Sequence, residues 1–202
     1  MKKFMSLLVE TIKLHDGCFI NADLHEHRLN LARKLLFGKR KPLSLEAYLR
    51  SLDVPLEGVF KCRIIYAEDI IDHQITPYII REISMIRLVT NDDIEYSFKF
   101  LERVDLDALF HEKGNADEIL VCRKGLITDA YYYNVVFQKG HAYFTPSDPL
   151  LKGIQRQFLL NTKMITKKEI KAEDIYKYDY IHLINALTPL NAIKMSVDHI
   201  II

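Results

Sequence analysis

The sequence predicts an α+β fold with two lobes. Strand-like and helix-like segments follow one another in mixed order along the 202 residues, and no internal repeat is visible. The short polar turn Asn91-Asp92-Asp93 is the best boundary between the halves. We therefore predict an N-terminal α/β lobe over residues 1–90 and a C-terminal α/β lobe over residues 91–202.

The N-terminal lobe is predicted to begin with a strand and a long helix. Leu24, Arg28, Leu31 and Leu35 fall on one helical stripe at spacings of four, three and four, so we expect this stripe to face the core. Ser44 is placed to cap a second, short helix. The predicted strands are 5–14, 59–66, 69–80 and 83–90, and the predicted helices are 23–37 and 45–51.

The C-terminal lobe is predicted to begin with an extended, aromatic-rich segment at 95–101. Lys124-Gly125 and Lys139-Gly140 mark turns between strands, and Gly153 marks the start of a helix. The predicted helices are 104–112, about 153–161 and 167–176, and the predicted strands are 117–122, 126–129, 134–138, 179–184 and 192–195.

Composition excludes several classes of partner. The 28 Lys and Arg against 27 Asp and Glu leave a formal charge of +1, which supplies no general attraction to nucleic acid or to an anionic membrane. No stretch approaches the roughly 20 apolar residues of a membrane helix. Glu10 and Lys13 end the first apolar run too early for a signal peptide. With three widely spaced cysteines, we expect a cytoplasmic protein without a disulfide framework.

Arg28 and Lys99 are each open to two interpretations. Arg28 shares its helical stripe with three leucines, so it either extends an apolar stem towards water or aims its guanidinium at a bound anion. Lys99 lies between Phe98 and Phe100, which a strand would place on the opposite face. It is either a solvent-facing lysine or a cleft amine with a lowered pKa that can react with a carbonyl group.

The helix start at Gly153 and the residue Asp129 are also each open to two interpretations. Lys152 and Arg156 flank a helix start that would ordinarily prefer acidic groups, which suits a bound phosphate. Alternatively, Asp148 caps this region and both cations are simply solvated. Asp129 ends a strand ahead of three consecutive tyrosines, where it is either a turn former or a functional carboxylate.

A metal site is not predicted. His25-Glu26-His27 looks like a metal-binding motif, but residues two positions apart point in different directions on a helix, so one ion would not contact both histidines.

Six segments in order resemble the class IV aminotransferases, the fold-type IV pyridoxal-phosphate enzymes. Upstream, Glu10-Thr-Ile12 and His25-x-x-Arg28-Leu29 fit the same family. The resemblance covers nearly the whole chain and implies a two-lobed fold like that of D-amino-acid aminotransferase, shortened at its N-terminus. The six segments are Lys99-Phe-Leu-Glu-Arg103, Asn115-Ala-Asp-Glu-Ile-Leu-Val121, Gly125-Leu-Ile-Thr-Asp129 with Asn134, Tyr143-Phe-Thr-Pro146, Gly153-Ile-Gln-Arg-Gln-Phe158 and Asn185-Ala-Leu187.

The resemblance assigns a role to each of the singled-out residues. Lys99 matches the lysine that binds pyridoxal 5'-phosphate covalently, and Asp129 matches the acidic residue, usually Glu, that pairs with the pyridine nitrogen. Arg28 matches an arginine on the cofactor phosphate. The remaining phosphate contacts implied by the resemblance are Gly153, Ile154, Gln155, Asn185 and Ala186.

Within the family, the motifs are most similar to those of aminodeoxychorismate lyase. Asn185-Ala-Leu187 stands where aminotransferases have Gly-Thr, and Gln155 replaces their common Thr. The resemblance therefore implies a homodimeric lyase of folate synthesis that acts on a small amine. An aminotransferase for branched-chain or D-amino acids, and a non-catalytic descendant, remain the alternatives. The candidates for the leaving-group acid and for substrate contacts are Thr11, Lys61, Arg63, Tyr131 and Tyr133.

Overall fold

The computed structural model describes residues 7–202 and confirms the α+β class. Its residues group into two units. The first runs up to Ile79 and includes Phe98–Glu102, and the second contains Ile80–Ser97 and Arg103–Ile202. This division differs from the predicted boundary between residues 90 and 91, because the strand that ends at Thr90 pairs with strands of the second unit.

The first unit is a four-stranded antiparallel sheet with two helices packed on one face. The strand order is β2-β1-β3-β4. Leu8 and Ile12 of β1 and Ile64 of β3 are fully buried against helix residues such as Leu29 and Leu45. Its elements are β1 (Leu8–His15), β2 (Cys18–Phe19), α1 (Ala22–Phe37), α2 (Leu45–Arg50), β3 (Val59–Tyr66) and β4 (Ile70–Pro77).

The predicted core stripe of α1 is wrong, although the helix itself is confirmed. Leu31 and Leu35 are 46% and 60% exposed. The buried residues of α1 are instead His25, Leu29, Ala32 and Arg33. His25 and Arg33 can lie inside because both have polar partners, and an apolar count along the helix cannot detect those partners.

The second unit is built on a nine-stranded mixed sheet. Its main path runs β10-β9-β8-β7-β6-β5-β13, and β11 pairs with β8 and β12. The elements are β5 (Ile86–Thr90), α3 (Val104–His111), β6 (Glu118–Arg123), β7 (Leu126–Ala130), β8 (Asn134–Lys139), β9 (Ala142–Pro146), α4 (Ile154–Asn161), β10 (Thr166–Lys168), a 3-10 helix (Ala172–Lys177), β11 (Tyr180–Ile184), β12 (Lys194–Ser196), a 3-10 helix (Val197–His199) and β13 (Ile200–Ile201).

Two predicted elements differ in the structure. Residues 95–101 form no regular strand and contribute a single bridge between Phe100 and Leu8. The predicted helix at 167–176 is replaced by β10 and a 3-10 helix, since the chain there is hydrogen-bonded to neighbouring strands. Ile170 and Ile175 are both buried in the core of the unit.

Other predicted elements are confirmed within a few residues. Ser44 caps α2 by accepting a hydrogen bond from the Ala47 N–H. The start of the predicted strand 5–14 lies outside the described residues. Among residues 7–202, no helix is both long and apolar enough to cross a membrane.

Candidate active site

A buried ion cluster in the first unit joins β1 to α1. Glu10 is 0% exposed. Arg28 donates from Nε to Glu10 Oε1 at 2.9 Å and from Nη2 to Oε2 at 2.5 Å. His25 Nδ1 lies 2.5 Å from the same Oε2. This bidentate geometry excludes the first interpretation of Arg28, because its guanidinium does not extend towards water but is held by a carboxylate.

Burial and pairing together set the protonation states of Glu10 and His25 in this cluster. Burial disfavours the charged form of Glu10, but the Arg28 guanidinium and the His25 hydrogen bond outweigh it and lower the pKa of Glu10 to about 2. Burial lowers the pKa of His25 despite the neighbouring carboxylate. A neutral His25 therefore donates its Nδ1–H to Glu10, and its Nε2 has no hydrogen-bond partner among the described residues.

Lys99 belongs to this unit as well. Its carbonyl oxygen accepts a hydrogen bond from the Val9 N–H at 2.9 Å, which fixes the backbone of the lysine segment beside β1. The side chain is partly buried, and its charge contributes to the lowered pKa of His25. The structure thus brings Lys99 into the neighbourhood of the cluster that holds Arg28.

The substrate candidates Thr11, Lys61 and Arg63 lie on the opposite face of the same sheet. Thr11 is directly opposite Arg63 in the pairing of β1 with β3, and Lys61 is two residues before Arg63 on β3. Because successive strand residues alternate between faces, these three side chains share one face, whereas Glu10 points to the helix-covered face.

Asp129 is the centre of the candidate site in the second unit. It is 5% exposed at the end of β7 and lies directly opposite Asn134 of β8. Its Oδ1 accepts a hydrogen bond from Asn134 Nδ2 at 2.6 Å, and its Oδ2 accepts one from the Leu151 N–H at 2.8 Å. Burial raises the pKa of Asp129 to about 6, although these donors act in the opposite direction. A buried carboxylate with two donors and a raised pKa is typical of a functional site, so Asp129 is not simply a turn-forming residue.

The helix α4 begins beside this carboxylate. Gly153 is its N-cap, and no acidic residue or side-chain cap occupies its first turn. Asp148 does not cap the helix but pairs with Arg123 at 2.7 Å. Ile154 and Gln155 provide the first helical N–H groups, which carry the positive end of the helix dipole. The arrangement suits an anion such as a phosphate.

Gly153 itself is required by a neighbour within the protein. A Cβ added at this position would lie 2.0 Å from Asn134 Oδ1. Asn134 also donates from Nδ2 to the Leu151 carbonyl oxygen at 2.8 Å. One asparagine therefore connects Asp129 to the start of α4, a role that the sequence motif alone does not reveal.

Arg156 is a structural residue. It is 2% exposed and donates from Nη2 to the Pro146 carbonyl oxygen at 2.7 Å and from Nε to Thr145 Oγ1 at 3.2 Å. The prediction that it flanks the helix start as a solvated or phosphate-facing cation is wrong, because its guanidinium holds α4 against β9 instead.

The Asn185–Leu187 segment forms a tight turn after β11. Asn185 Oδ1 accepts hydrogen bonds from the N–H groups of Leu187 at 2.9 Å and Thr188 at 3.0 Å. Its Nδ2 donates to the Tyr132 carbonyl oxygen at 3.2 Å. Ala186 lies at the tip of this turn and is partly buried.

The tyrosines have different environments. Tyr133 is 4% exposed and belongs to the hydrophobic core, so it is not available to a substrate. Tyr131 stacks on Phe110 with a ring separation of 4.2 Å, and its hydroxyl donates to Asp107 Oδ1 at 2.5 Å. Tyr132 is 49% exposed. The structure therefore places Tyr133, a candidate substrate contact, in the core of the unit rather than at its surface.

The chain is similar to known proteins of one family. The family described as amino-transferase class IV matches residues 97–195. An uncharacterized protein of Haemophilus influenzae is 34% identical over 185 residues, which are 91% of this chain and 98% of the relative. A crystal structure from Haemophilus somnus, provisionally named a 4-amino-4-deoxychorismate lyase, is 35% identical with a TM-score of 0.85. The match covers 93% of this chain and 99% of that one.

A Mesorhizobium loti protein, provisionally named an amino-acid aminotransferase, shares the fold with a TM-score of 0.79 at 21% identity. The match covers 93% of this chain and 97% of that chain. The chain belongs to the class IV aminotransferase family. Membership identifies it as a pyridoxal-phosphate-dependent enzyme.

The residues present fit this cofactor. The cofactor needs an amine for its aldehyde, a carboxylate for its ring nitrogen and donors for its phosphate. Residues of these types occur in each unit taken by itself: Lys99 and Arg28 lie in the first unit, and the buried Asp129 and the uncapped start of α4 lie in the second. The sequence motifs indicated these residues but missed the roles of Glu10, His25 and Asn134, which hold them in place.

Proposed function

We propose that the protein is a lyase that converts 4-amino-4-deoxychorismate to 4-aminobenzoate and pyruvate in folate synthesis. The observation that favours a lyase over an aminotransferase is the Asn185-Ala-Leu187 motif, which resembles that of aminodeoxychorismate lyase and forms a turn closed by the Asn185 side chain. The 35% identical Haemophilus somnus chain supports the same reaction.

Pyridoxal phosphate supplies an aldehyde that captures the substrate amine and a ring that accepts electrons from the adjacent carbon. In our proposal, Lys99 holds the cofactor at rest and then takes the proton from the substrate carbon as a free amine. Asp129, as a carboxylate, keeps the ring nitrogen protonated. Arg28 and the N–H groups at the start of α4 bind the phosphate, with the Asn185-Ala186 turn as the second phosphate contact.

Glu10 and His25 act on Arg28 rather than on the cofactor. Both oxygens of Glu10 are hydrogen-bonded to Arg28, so the guanidinium has a fixed orientation before any phosphate binds. Because Glu10 stays ionised far below neutral pH, this orientation does not change across the physiological range. Preorganisation of this kind lowers the ordering cost of binding.

Product analysis tests the reaction directly. Purified protein loaded with pyridoxal phosphate is given 4-amino-4-deoxychorismate, and 4-aminobenzoate and pyruvate are quantified separately. We expect the two products in equal amounts. A keto-acid-dependent transfer of an amino group, without 4-aminobenzoate, would instead identify the protein as an aminotransferase.

Replacing Arg28 with alanine is expected to weaken cofactor binding by about 2–4 kcal/mol, since it removes one partner of a desolvated charge pair. A titration of the ligand-free protein with pyridoxal phosphate measures this change. Arg50→Ala is the matched control, because Arg50 is an exposed helix residue that pairs with Glu46. Equal affinities in the Arg28 and Arg50 variants would exclude a phosphate contact by Arg28.

We also propose that the enzyme is a cytoplasmic homodimer. Family members build their sites with a neighbouring subunit, and the location is supported by three free cysteine thiols. Sedimentation velocity is expected to show a dimer under assay conditions. A fully active monomer would contradict this proposal.

A further inference from the structure

The turn that follows Asp129 has little support of its own. It joins β7 to β8 through residues 130–133, and a hydrogen bond of 2.8 Å links the N–H of the first residue to the carbonyl oxygen of the last. Tight hairpin turns favour positive φ at their central residues, because other turn types splay the strands. Tyr131 and Tyr132, both within the described chain, have no positive φ. In keeping with this, β7 and β8 pair at a single position among residues 7–202, Asp129 with Asn134.

Two charged side chains from outside the turn hold its tip. Glu118 Oε1 accepts a hydrogen bond from the Tyr131 N–H at 3.1 Å, and Arg103 Nη2 donates to the Tyr131 carbonyl oxygen at 2.5 Å. The guanidinium carbon of Arg103 also lies 4.0 Å from the ring centroid of Tyr131 and 4.7 Å from that of Tyr132. The backbone of Tyr131 is therefore fixed at both its donor and its acceptor. We call Glu118 and Arg103 the hairpin clamp.

Glu118 is an unfavourable residue at its position unless it has a task. It begins β6, is 0% exposed and forms no ion pair among residues 7–202. Burial raises the pKa of Glu118 to about 7, although two backbone N–H groups and the charges of Arg81 and Arg103 act in the opposite direction. An apolar residue of similar size would avoid the cost of burying this carboxyl group.

Both residues of the hairpin clamp also leave a buried atom unpaired. Glu118 Oε2 and Arg103 Nε have no hydrogen-bond partner among the described residues. An unpaired buried donor or acceptor costs free energy, whereas replacing two polar partners by apolar groups of the same shape can be nearly neutral. The two side chains therefore weaken the unit through these atoms, and their use lies in the atoms that hold Tyr131.

We propose that Glu118 and Arg103 are positioning residues for Asp129. The Asp129 carboxylate accepts hydrogen bonds from two donors on other segments, so it must be presented to both at once. Tyr131 is two residues beyond Asp129, and a fixed Tyr131 backbone fixes the end of β7 and directs the carboxylate at these donors. The contact of Asp129 with the cofactor belongs to the proposed function, whereas the hold on its turn does not.

Amide hydrogen exchange of the ligand-free protein tests the hairpin clamp. The Leu151 N–H, bonded to Asp129 Oδ2 at 2.8 Å, reports the position of the carboxylate. The Leu183 N–H, bonded to a backbone carbonyl oxygen at 3.2 Å, reports the stability of the rest of the unit. Glu118→Leu keeps a side chain of similar size but has no acceptor for the N–H at the tip. We expect the Leu151 amide to exchange at least tenfold faster in this variant, with exchange at Leu183 unchanged.

Three further variants complete this measurement. Glu118→Gln keeps an acceptor oxygen and should restore most of the protection of the Leu151 amide. Arg103→Met keeps an unbranched stem but removes the donor to the tip, so it should accelerate the same amide, and it decides the test if Glu118→Leu does not fold. Glu173→Leu, at an exposed position, is the control. Unchanged exchange at Leu151 in the Glu118→Leu and Arg103→Met variants, or equal acceleration at both reporter amides, would overturn the proposal.

A double-mutant comparison separates a positioning role from general weakening, with turnover measured in whichever reaction the wild type performs. At saturating cofactor, Glu118→Leu should lower kcat at least about tenfold and leave KM unchanged, because a misplaced group slows the reaction without weakening substrate binding. Combining Glu118→Leu with Asp129→Asn should cause no further loss, since the group that Glu118 positions is already gone. A further tenfold loss would show that Glu118 acts independently of Asp129 and would overturn the proposal. If Asp129→Asn alone keeps the wild-type turnover, the proposed cofactor contact fails, and the exchange rates alone decide the hairpin clamp.

Discussion

Replacing Lys99 with methionine is expected to lower kcat by at least about a thousandfold, a loss within the range for removal of a positioned proton-transfer group. Methionine keeps an unbranched side chain but has no amine, so it can neither hold the cofactor covalently nor take the substrate proton. The cofactor should still bind through its phosphate, and its absorption band should shift to that of the free aldehyde.

Turnover of 4-amino-4-deoxychorismate, measured at saturating cofactor, tests this expectation. Lys167→Met is the control, because Lys167 is an exposed residue of β10. Addition of a small primary amine should restore part of the activity in the Lys99 variant alone. Near-normal turnover without such an amine would exclude Lys99 as the proton acceptor.

The Asp129→Asn variant is expected to bind the cofactor but to turn over at least about a hundredfold more slowly, which corresponds to roughly 2.7 kcal/mol of transition-state stabilisation. A neutral side chain cannot keep the ring nitrogen protonated, so the ring accepts electrons poorly. The change also costs one hydrogen bond, since an asparagine offers a single acceptor oxygen to Asn134 Nδ2 and the Leu151 N–H. A thermal melt therefore accompanies the assay.

Asp129→Glu is the matched control, because it keeps the charge and restores the longer side chain that is usual in the family. Its turnover should exceed that of Asp129→Asn.

The raised pKa of Asp129, about 6, makes the stability of the ligand-free protein depend on pH. Between the ordinary carboxyl pKa and about 6, the folded state binds a proton that the unfolded state has released, so this group's contribution to stability falls as the pH rises through that range. Asp129→Asn should lack this component. Equal turnover of Asp129→Asn and wild type would make Asp129 a structural residue.

Local signals in the sequence predict most elements of the fold. The helix α1 ends at Gly38, which adopts a left-handed φ of 69°, and the β6–β7 turn has positive φ at both Lys124 and Gly125. These conformations follow from residue types at particular positions. The segment at 95–101 is predicted to be extended and aromatic-rich, but whether it pairs depends on a distant partner, and it forms a single isolated bridge, between Phe100 and Leu8.

The site could be predicted as a set of motif residues but not as an arrangement. Lys99, Asp129 and Gly153 are recognisable from their order and spacing. The partners that fix them are not, because they come from elsewhere in the chain: Glu10 is fifteen residues from His25 and eighteen from Arg28. The sequence identifies Asn134 only as a motif position, although the closeness of its side chain to Gly153 explains why residue 153 has no side chain.

Borohydride reduction followed by peptide mapping tests the central claim most directly. The claim is that Lys99 holds pyridoxal phosphate in this protein. Reduction of the cofactor-loaded wild type fixes the carbon–nitrogen bond, and mass spectrometry then locates the added mass. The account predicts one labelled peptide, containing Lys99, in a protein that is yellow before reduction. A label on another lysine, or a protein that takes up no cofactor, would contradict it.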